Sequence, residues 1–247
     1  MVIVSYKISM HNKFLITHLE IAKQNISYYN AVADEYNDML DKEPDRIIRK
    51  RVAHKFCSII KNGTVLDFGG GTGLDIQWLT SKGFTVFFCE PSSGMRERAI
   101  ADHSNLPKDK ITFLDDSSTD FRRWHSQLPF VEKVDAVLSN FAVLNCIPDI
   151  ELLFKSLALV IKPGGNMIAL VLTKSLKKNL RLDFQNMLKS FVHRGRTTLN
   201  IWYKKHGQTV YVYSIKEIEK ASAKDFIFCG SEVLPSSVFT LIHLKRK

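Results

Sequence analysis

Short apolar runs alternating with helix-like stretches dominate the middle of the chain. From Thr64 the runs TVLDF, FTVFFCE, ITFLD, VDAVLSN and NMIALVL follow one another. Between them lie Leu74–Ser81, Ser92–Asp102, a weaker stretch near Asp120–Ser126, and Asp149–Ile161. A strand with one solvated face alternates apolar and polar residues, whereas these runs are nearly continuous, as in strands covered on both faces. Five such strands between 64 and 173, separated by helices, predict βαβ units and a parallel sheet. Upstream, Ala31–Leu40 and Asp45–Ile60 are predicted helices. In the second, Ile47, Ile48, Val52, Phe56, Ile59 and Ile60 recur at helical spacing behind Pro44.

After Thr173 the alternation breaks. Leu176, Leu180, Phe184, Met187, Leu188 and Phe191 fall on one face of a predicted helix that Gly195 ends. TTLNIWYKKHGQTVYVYS reads as a hairpin, followed by a short helix from Ile215 and two strands near DFIFCG and SSVFTLIHL. The stretch from about 174 to 213 is therefore expected to be an insertion, a helix-plus-hairpin lid on an α/β domain.

Composition changes this picture little, and charge changes it more. The 247 residues are 45% apolar and 24% charged, an ordinary globular balance. No apolar run approaches the roughly 18 residues of a spanning helix, and the first residues lack the basic start and cleavage site of a signal peptide. Cys57, Cys89, Cys146 and Cys229 form no CxxC pair and read as reduced thiols of a cytoplasmic protein. The net charge of +10 is confined to the C-terminal third: residues 174–247 carry 15 basic and 5 acidic side chains, against 20 of each before them. Three readings fit the basic stretch 174–206: a solvated lid surface, steering of an anionic substrate, or contact with a nucleic-acid backbone. Its aromatics Phe184, Phe191, Trp202 and Tyr203 suit an apolar pocket roof as well as a nucleic acid.

The densest chemical signal is Val65-Leu66-Asp67-Phe68-Gly69-Gly70-Gly71-Thr72-Gly73, a buried strand entering a glycine turn and then a helix. A dinucleotide fingerprint fails, because the third glycine counted from Gly69 falls on Leu74. A phosphate loop fails for want of a Lys after Gly73. Asp67, two residues before the glycines, disfavours a pyrophosphate and suits a ligand with a cationic group.

This loop resembles motif I of the class I S-adenosylmethionine (SAM)-dependent methyltransferases, and further motifs follow in the family's order. Phe87-Phe88-Cys89-Glu90-Pro91-Ser92-Ser93-Gly94-Met95 resembles the second strand, whose terminal acid grips both ribose hydroxyls. Ile111-Thr112-Phe113-Leu114-Asp115-Asp116-Ser117 resembles the third, where an acid accepts from the adenine amine; the alignment favours Asp116 over Asp115. Val134–Asn140 matches the fourth strand, and Lys162-Pro163-Gly164-Gly165 the turn before the fifth. Tyr29-Asn30-Ala31-Val32-Ala33-Asp34-Glu35-Tyr36 resembles the N-terminal segment of small-molecule members, where two tyrosines close over the methionine end; aromatic residues at this spacing also suit a core.

The resemblance, over roughly residues 28 to 173, implies a Rossmann-like, seven-stranded, mostly parallel sheet with the last strand antiparallel and helices on both faces. It implies an N-terminal helical segment, 1–60, covering the cofactor, and a methyltransferase domain, 61–247, with the lid at about 174–213. The implied cofactor residues are Tyr29, Tyr36, Asp67, Gly69, Gly70, Gly71, Gly73, Glu90, Pro91, Met95, Asp115, Asp116, Ser117, Asn140 and Phe141. The implied product is S-adenosylhomocysteine (SAH). Ser139-Asn140-Phe141-Ala142 lacks the prolines of the amino-directed nucleobase enzymes, and no metal site is expected. His125, His193 and His206 are candidate bases, although methyl transfer needs one only when the acceptor holds a proton. The expected function is methyl transfer to an O or N atom of a small organic acceptor. The rivals are an RNA or carrier-protein methyltransferase and a SAM-binding scaffold without turnover.

Overall fold

The computed structural model describes residues 18–173, 189–193, 196–235 and 237–247. Its strands are β1 (Thr64–Phe68), β2 (Thr85–Cys89), β3 (Ile111–Phe113), β4 (Val134–Ser139), β5 (Ile161–Leu172), β6 (Lys189–His193), β7 (Arg196–Tyr203), β8 (His206–Val212), β9 (Phe226–Val233) and β10 (Phe239–Arg246). Seven of them form one sheet in the order β3-β2-β1-β4-β5-β10-β9. β1 pairs in parallel with β2 and β4, β2 with β3, and β4 with β5, while β10 runs antiparallel to both β5 and β9. The five predicted parallel strands, the helix after Thr173 aside, and the reversed last strand all lie where the sequence places them.

The continuous apolar runs are explained by cover on both faces. Along β1, Val65 belongs to one buried cluster and Leu66 to the other. The Val65 side is closed by helix α3 (Glu43–Ile59) through Ile48, Val52 and Phe56, and by α4 (Ile76–Ser81) and α5 (Ser93–Asp102). The Leu66 side is closed by α6 (Ile150–Val160) through Leu153, Phe154 and Leu157, and by Ile218 of α7 (Ile215–Ser222).

Two expectations are corrected. Ala31–Leu40 is not one helix: helix α1 spans 18–32, a turn occupies 33–35, and α2 covers Tyr36–Leu40. Val32 and Ala33 are drawn into a cluster with Tyr28 and Met95, so tertiary packing breaks the helix at this point. Residues 189–193, expected to end the lid helix, are strand, since β6 pairs with β7 from Lys189–Asn200 to His193–Arg196 and β7 pairs with β8. The rest of that expected helix, 174–188, and Gly195 lie outside the described residues.

Side-chain hydrogen bonds fasten α1 and the turn after it to the body. Asn30 accepts from Ser92 Oγ (2.7 Å) and the Gly94 N–H (3.1 Å) at the start of α5. Asn25 donates to the Cys146 and Thr209 carbonyls (2.9 and 3.0 Å) and accepts from the Thr209 N–H (2.8 Å), which joins α1 to β8 and to the loop after β4. Tyr203, at the hairpin end of β7, donates to Glu35 at 2.6 Å. Asn25→Ala leaves three buried or half-buried backbone groups unmet. It is expected to cost about 2–3 kcal/mol, a fall of roughly 4–12 °C in Tm by calorimetry; an unchanged Tm would show that the staple carries no stability.

Candidate functional site

Between β1 and β4 the strand order reverses, and connections leave the sheet in opposite directions, so a crevice opens beyond the strand ends. A cavity of about 700 Å³ lies there. It is walled by the glycine loop after β1, by Glu90 and Pro91 after β2, by Asp116 after β3, by Asn140 and Phe141 after β4, and by Tyr29 and Tyr36 from the N-terminal segment. Ten of the fifteen residues implied by the sequence therefore face one space: Tyr29, Tyr36, Gly69, Gly70, Gly71, Glu90, Pro91, Asp116, Asn140 and Phe141.

The other five sit around it. Asp67 is buried behind the loop, with Oδ2 beside the Gly70 backbone. Gly73 packs on Ile76, Ala99 and His103. Met95 is fully buried in the cluster with Tyr28 and Val32. Asp115 is turned into its own loop, accepting from Ser117 Oγ and the Ser118 N–H (both 2.8 Å), and these contacts hold its carboxyl below the usual range. Of the two candidate acids after β3, Asp116 is the one on the cavity, paired with Arg96.

The loop is shaped to bring backbone to the cavity. Gly69 and Gly71 have φ of 74° and 60°, values that side-chain-bearing residues rarely adopt. Glu90 braces it from β2: one carboxylate oxygen accepts from the Gly71 N–H at 2.9 Å, the other from the Ser92 N–H at 2.8 Å. Burial nevertheless dominates and raises the Glu90 pKa to about 7. Burial likewise raises Asp67, with the neighbouring Asp75 carboxylate adding to it, and raises Tyr29 and Tyr36 far above the usual phenol range.

Phe141 and Ala142 both hold left-handed backbone (φ 50° and 65°), a strain of about 1–3 kcal/mol each of the kind that collects at functional sites. The strand-end loop is pinned by Asn145, which donates to the Leu172 and Tyr211 carbonyls and accepts from the Leu172 N–H. Asn140 donates to Asp75 at 3.0 Å, so its amide is committed to the protein.

One wall residue has no signature in the sequence. Arg49 of α3 pairs with Asp75 at 2.6 Å, lies 4.6 Å from the centre of the Phe141 ring, and lines the cavity. Arg46, Arg49, Lys50 and Arg51 look alike along the chain; only the fold, which brings Asp75 and Phe141 to it, singles out Arg49. The inner face of α1 was also missed, because it mixes polar and apolar residues. His18, Leu19, Ala22, Asn25, Ile26 and Tyr29 all line the cavity, and their spacing is that of one helical face.

The candidate bases are not gathered here. His125 is exposed and bonded to the Arg122 carbonyl, His206 bonds Ser27 at 3.0 Å, and the side chain of His193 lies outside the described set. Among the described residues no hairpin side chain lines the cavity, so that part of the expected lid backs α1 rather than roofing the space directly.

The sequence profile of the methyltransferase domain matches residues 28–224. The chain belongs to the methyltransferase-domain family. It is a methyltransferase by family, and SAM is the cofactor that its sequence motifs imply. No curated protein matches it by sequence. Among solved structures it resembles the PH0226 protein from Pyrococcus horikoshii OT3, at TM-score 0.67 and 19% identity over 89% of this chain and 98% of that one. It also resembles the Burkholderia thailandensis 1,6-didemethyltoxoflavin-N1-methyltransferase with bound substrate and SAH, at TM-score 0.69 and 12% identity, covering 93% and 90%. A third is a SAM-dependent methyltransferase from Clostridium acetobutylicum ATCC 824, at TM-score 0.60 and 16% identity, covering 88% and 98%. Identities this low speak for the fold.

The cavity of this methyltransferase fits its cofactor on chemical grounds. Two buried polar atoms beside it lack a partner: Asp67 Oδ2, behind the glycine loop, and Nε of Arg49, whose side chain lines the cavity. Unmet buried groups cost about 1–3 kcal/mol each, and an ammonium and a carboxylate are the groups complementary to this acceptor and this donor. Among the described residues no cluster of three His, Cys, Asp or Glu suited to a metal occurs, and no helix is long and apolar enough to cross a membrane.

Proposed function

We propose that the enzyme transfers the SAM methyl group to an oxygen or nitrogen atom of a small organic acceptor and releases SAH. Residues 1–60 would cover the cofactor, and 61–247 would form the SAM-binding domain with its insertion at about 174–213. The observation that carries the cofactor placement is the pair of unmet atoms, Asp67 Oδ2 behind the glycine loop braced by Glu90 and Arg49 Nε on the α3 wall. Glu90 would accept from the ribose hydroxyls, since a carboxylate takes two hydrogen bonds at once. Asp116 would accept from the adenine amine, Gly69 to Gly71 would pass close to the methionine portion, and Arg49 would hold its carboxylate. SAM supplies an electrophilic methyl group on a sulfonium.

The chain's task is orientation and exclusion of water, which suits a cavity walled in part by the half-buried Tyr29 and Tyr36. The cations of the cavity are internally paired, Arg49 with Asp75 and Arg122 with Asp120 at 2.6 Å, and Lys204 of the basic stretch is tied to Glu35 outside it. An anionic acceptor would thus be favoured by the long-range field of the C-terminal third and not by a cation waiting in the cavity. Four unpaired cysteines agree with a cytoplasmic setting.

Arg49→Met is expected to weaken SAH binding about tenfold or more, because a charge-assisted hydrogen bond contributes about 1.5–3 kcal/mol. Arg49→Lys, with its charge but without the planar fork, should fall between. Calorimetric titration with SAH reads both; affinity unchanged in Arg49→Met would remove this residue from the site. Release of SAH from SAM on adding small amines and phenols tests the transfer itself.

A further inference from the structure

The cavity is longer than its proposed cofactor contacts. Along α1 the lining face runs from Tyr29, at the cofactor end, to His18, eleven residues away, or about 16 Å at the rise of an α-helix. Leu19, Ala22 and Ile26 of this face line the cavity together with Val143, Ile147 and Leu152. None of these six has a polar side chain, and none has a role toward the adenosyl, ribose or methionine groups.

At the inner end of this apolar space stands a polar trio: Tyr29, Cys146 and Gln208. Gln208 of β8 donates its amide hydrogens to the Tyr29 hydroxyl oxygen at 2.6 Å and to Cys146 Sγ at 3.2 Å. The thiol lies 3.6 Å from the Ala142 carbonyl and 3.5 Å from the Tyr29 oxygen. With Gln208 donating to it, the Tyr29 oxygen keeps its own proton to give away, either weakly to the sulfur or to a molecule in the cavity. The nearby amides cannot compete. Asn25 is spent on the Cys146 and Thr209 backbone, and Asn140 on Asp75 and the Phe141 N–H. Two titratable side chains share this end of the cavity: His18, at the far end of the helix, and Asp149, whose carboxylate caps α6 by accepting from the Leu152 N–H at 2.9 Å; burial keeps the Tyr29 phenol and the Cys146 thiol protonated.

We propose that this end of the cavity is an acceptor chamber. It takes a small molecule with an apolar body, one polar atom that accepts a hydrogen bond, and a separate nucleophilic atom whose lone pair is free at neutral pH. Gln208, acting through Tyr29, aims the hydrogen-bond donor that orients it. The proposal rests on the cofactor placement above and narrows it to a substrate class. In the transfer, the acceptor lone pair forms the new bond to the methyl carbon while the carbon–sulfur bond breaks. That bond's electron pair returns to sulfur and leaves a neutral thioether. The positive charge passes to the methylated acceptor, which sheds a proton to water if it carries one. No enzyme base takes part. Gln208 is a positioning residue, because it touches Tyr29 and Cys146 and does not line the cavity.

The test uses the full chain and two probes with the same bicyclic body. The isoquinoline, 6-methoxyisoquinoline, has a free ring lone pair and an ether oxygen to accept from Tyr29; the alcohol, 6-methoxy-2-naphthalenemethanol, has the same ether oxygen but must lose a proton that no group in the chamber takes. SAH binding to the wild type is read first, by thermal shift. If SAH does not bind, the cofactor placement fails and this proposal falls with it. With SAH bound, both probes are expected to bind. With SAM, the isoquinoline alone should be methylated.

Gln208→Leu and Gln208→Glu should each lower kcat about tenfold or more while moving the SAM dissociation constant less than threefold. The glutamate should do no better than leucine, because a carboxylate would accept the Tyr29 proton and withdraw the donor from the chamber. A merely structural amide predicts the opposite, rescue by glutamate. Such rescue, methylation of the alcohol at the rate of the ring nitrogen, the isoquinoline bound but unmethylated, or no binding of either probe to the SAH complex would each overturn the proposal.

Discussion

Replacing Glu90 by Gln is expected to weaken SAH binding on the order of 100-fold, the largest loss of any single polar substitution in the site. Two effects add. The carboxylate would accept both ribose hydroxyls, and hydrogen bonds to a charged acceptor contribute about 1.5–3 kcal/mol each. The same carboxylate also receives the Gly71 and Ser92 N–H groups on its two oxygens. Glutamine has one oxygen, so one of those N–H groups would face an NH₂ and the glycine loop would lose a brace.

Glu90 also sets a pH dependence. Its pKa is about 7 in the folded chain against an ordinary 4.5, because burial outweighs the hydrogen bonds that favour the carboxylate. Between those values the folded state holds more protons than the unfolded one. The stability that protonated Glu90 gives is therefore full below about 4.5 and lost as pH rises through 7, by about 3 kcal/mol in all. Ligand binding runs the other way: hydroxyl donors need the ionised form, so the SAH dissociation constant should fall as pH rises toward 7 and level off above it. Glu90→Gln should abolish both limbs. Calorimetric titrations and thermal scans from pH 5.5 to 8.5 read them, and a wild type without either limb would refute the assignment.

The second large effect separates neighbouring glycines. At Gly70 an added Cβ would lie 2.2 Å from Phe88 Cε2 and 2.7 Å from Asp67 Oδ2. Both residues are buried at the sheet and cannot yield without disturbing the core. Gly70→Ala should therefore cost about 3 kcal/mol of stability, a Tm lower by roughly 6–12 °C. At Gly71 the nearest atom is Tyr36 Cε1 at 3.7 Å. Gly71→Ala keeps the N–H that Glu90 accepts and pays about 1 kcal/mol for its left-handed backbone. It places a methyl group in the cavity where the cofactor would pass. It should fold with a Tm within a few degrees of wild type and bind SAH at least tenfold more weakly. Thermal scans with and without SAH distinguish the two; equal losses at both positions would mean that Gly71 does not face the ligand.

How far the sequence carried the fold follows from burial. Strands covered on both faces leave an unbroken apolar record, so β1 to β5 were legible, and the glycine run after β1 marked the crevice. Residues 18–32 were not, because the inner face of α1 is mixed: Asn25 is buried for its hydrogen bonds, and His18 lines the cavity. The break at 33–35 depends on contacts with Met95, and the 189–193 strand depends on β7, neither of which local periodicity contains. In the site, residues within motifs were readable, since the backbone fixes where they point. Arg49, Asp75 and Gln208 act through partners 26 to 179 positions distant, and their roles exist only once the chain is folded.

The central claim is that this cavity is built for an adenosyl ligand with a methionine-like end. The most direct measurement is a thermal-unfolding scan with SAM, SAH, NAD and ATP added separately. A ligand that binds the native state alone at 100 times its dissociation constant adds roughly 2.7 kcal/mol, or about 5–11 °C for a chain of this size. The account predicts that shift with SAM and SAH, and its absence with NAD and ATP. A shift with NAD or ATP of equal size, or no shift with SAM or SAH, would contradict it.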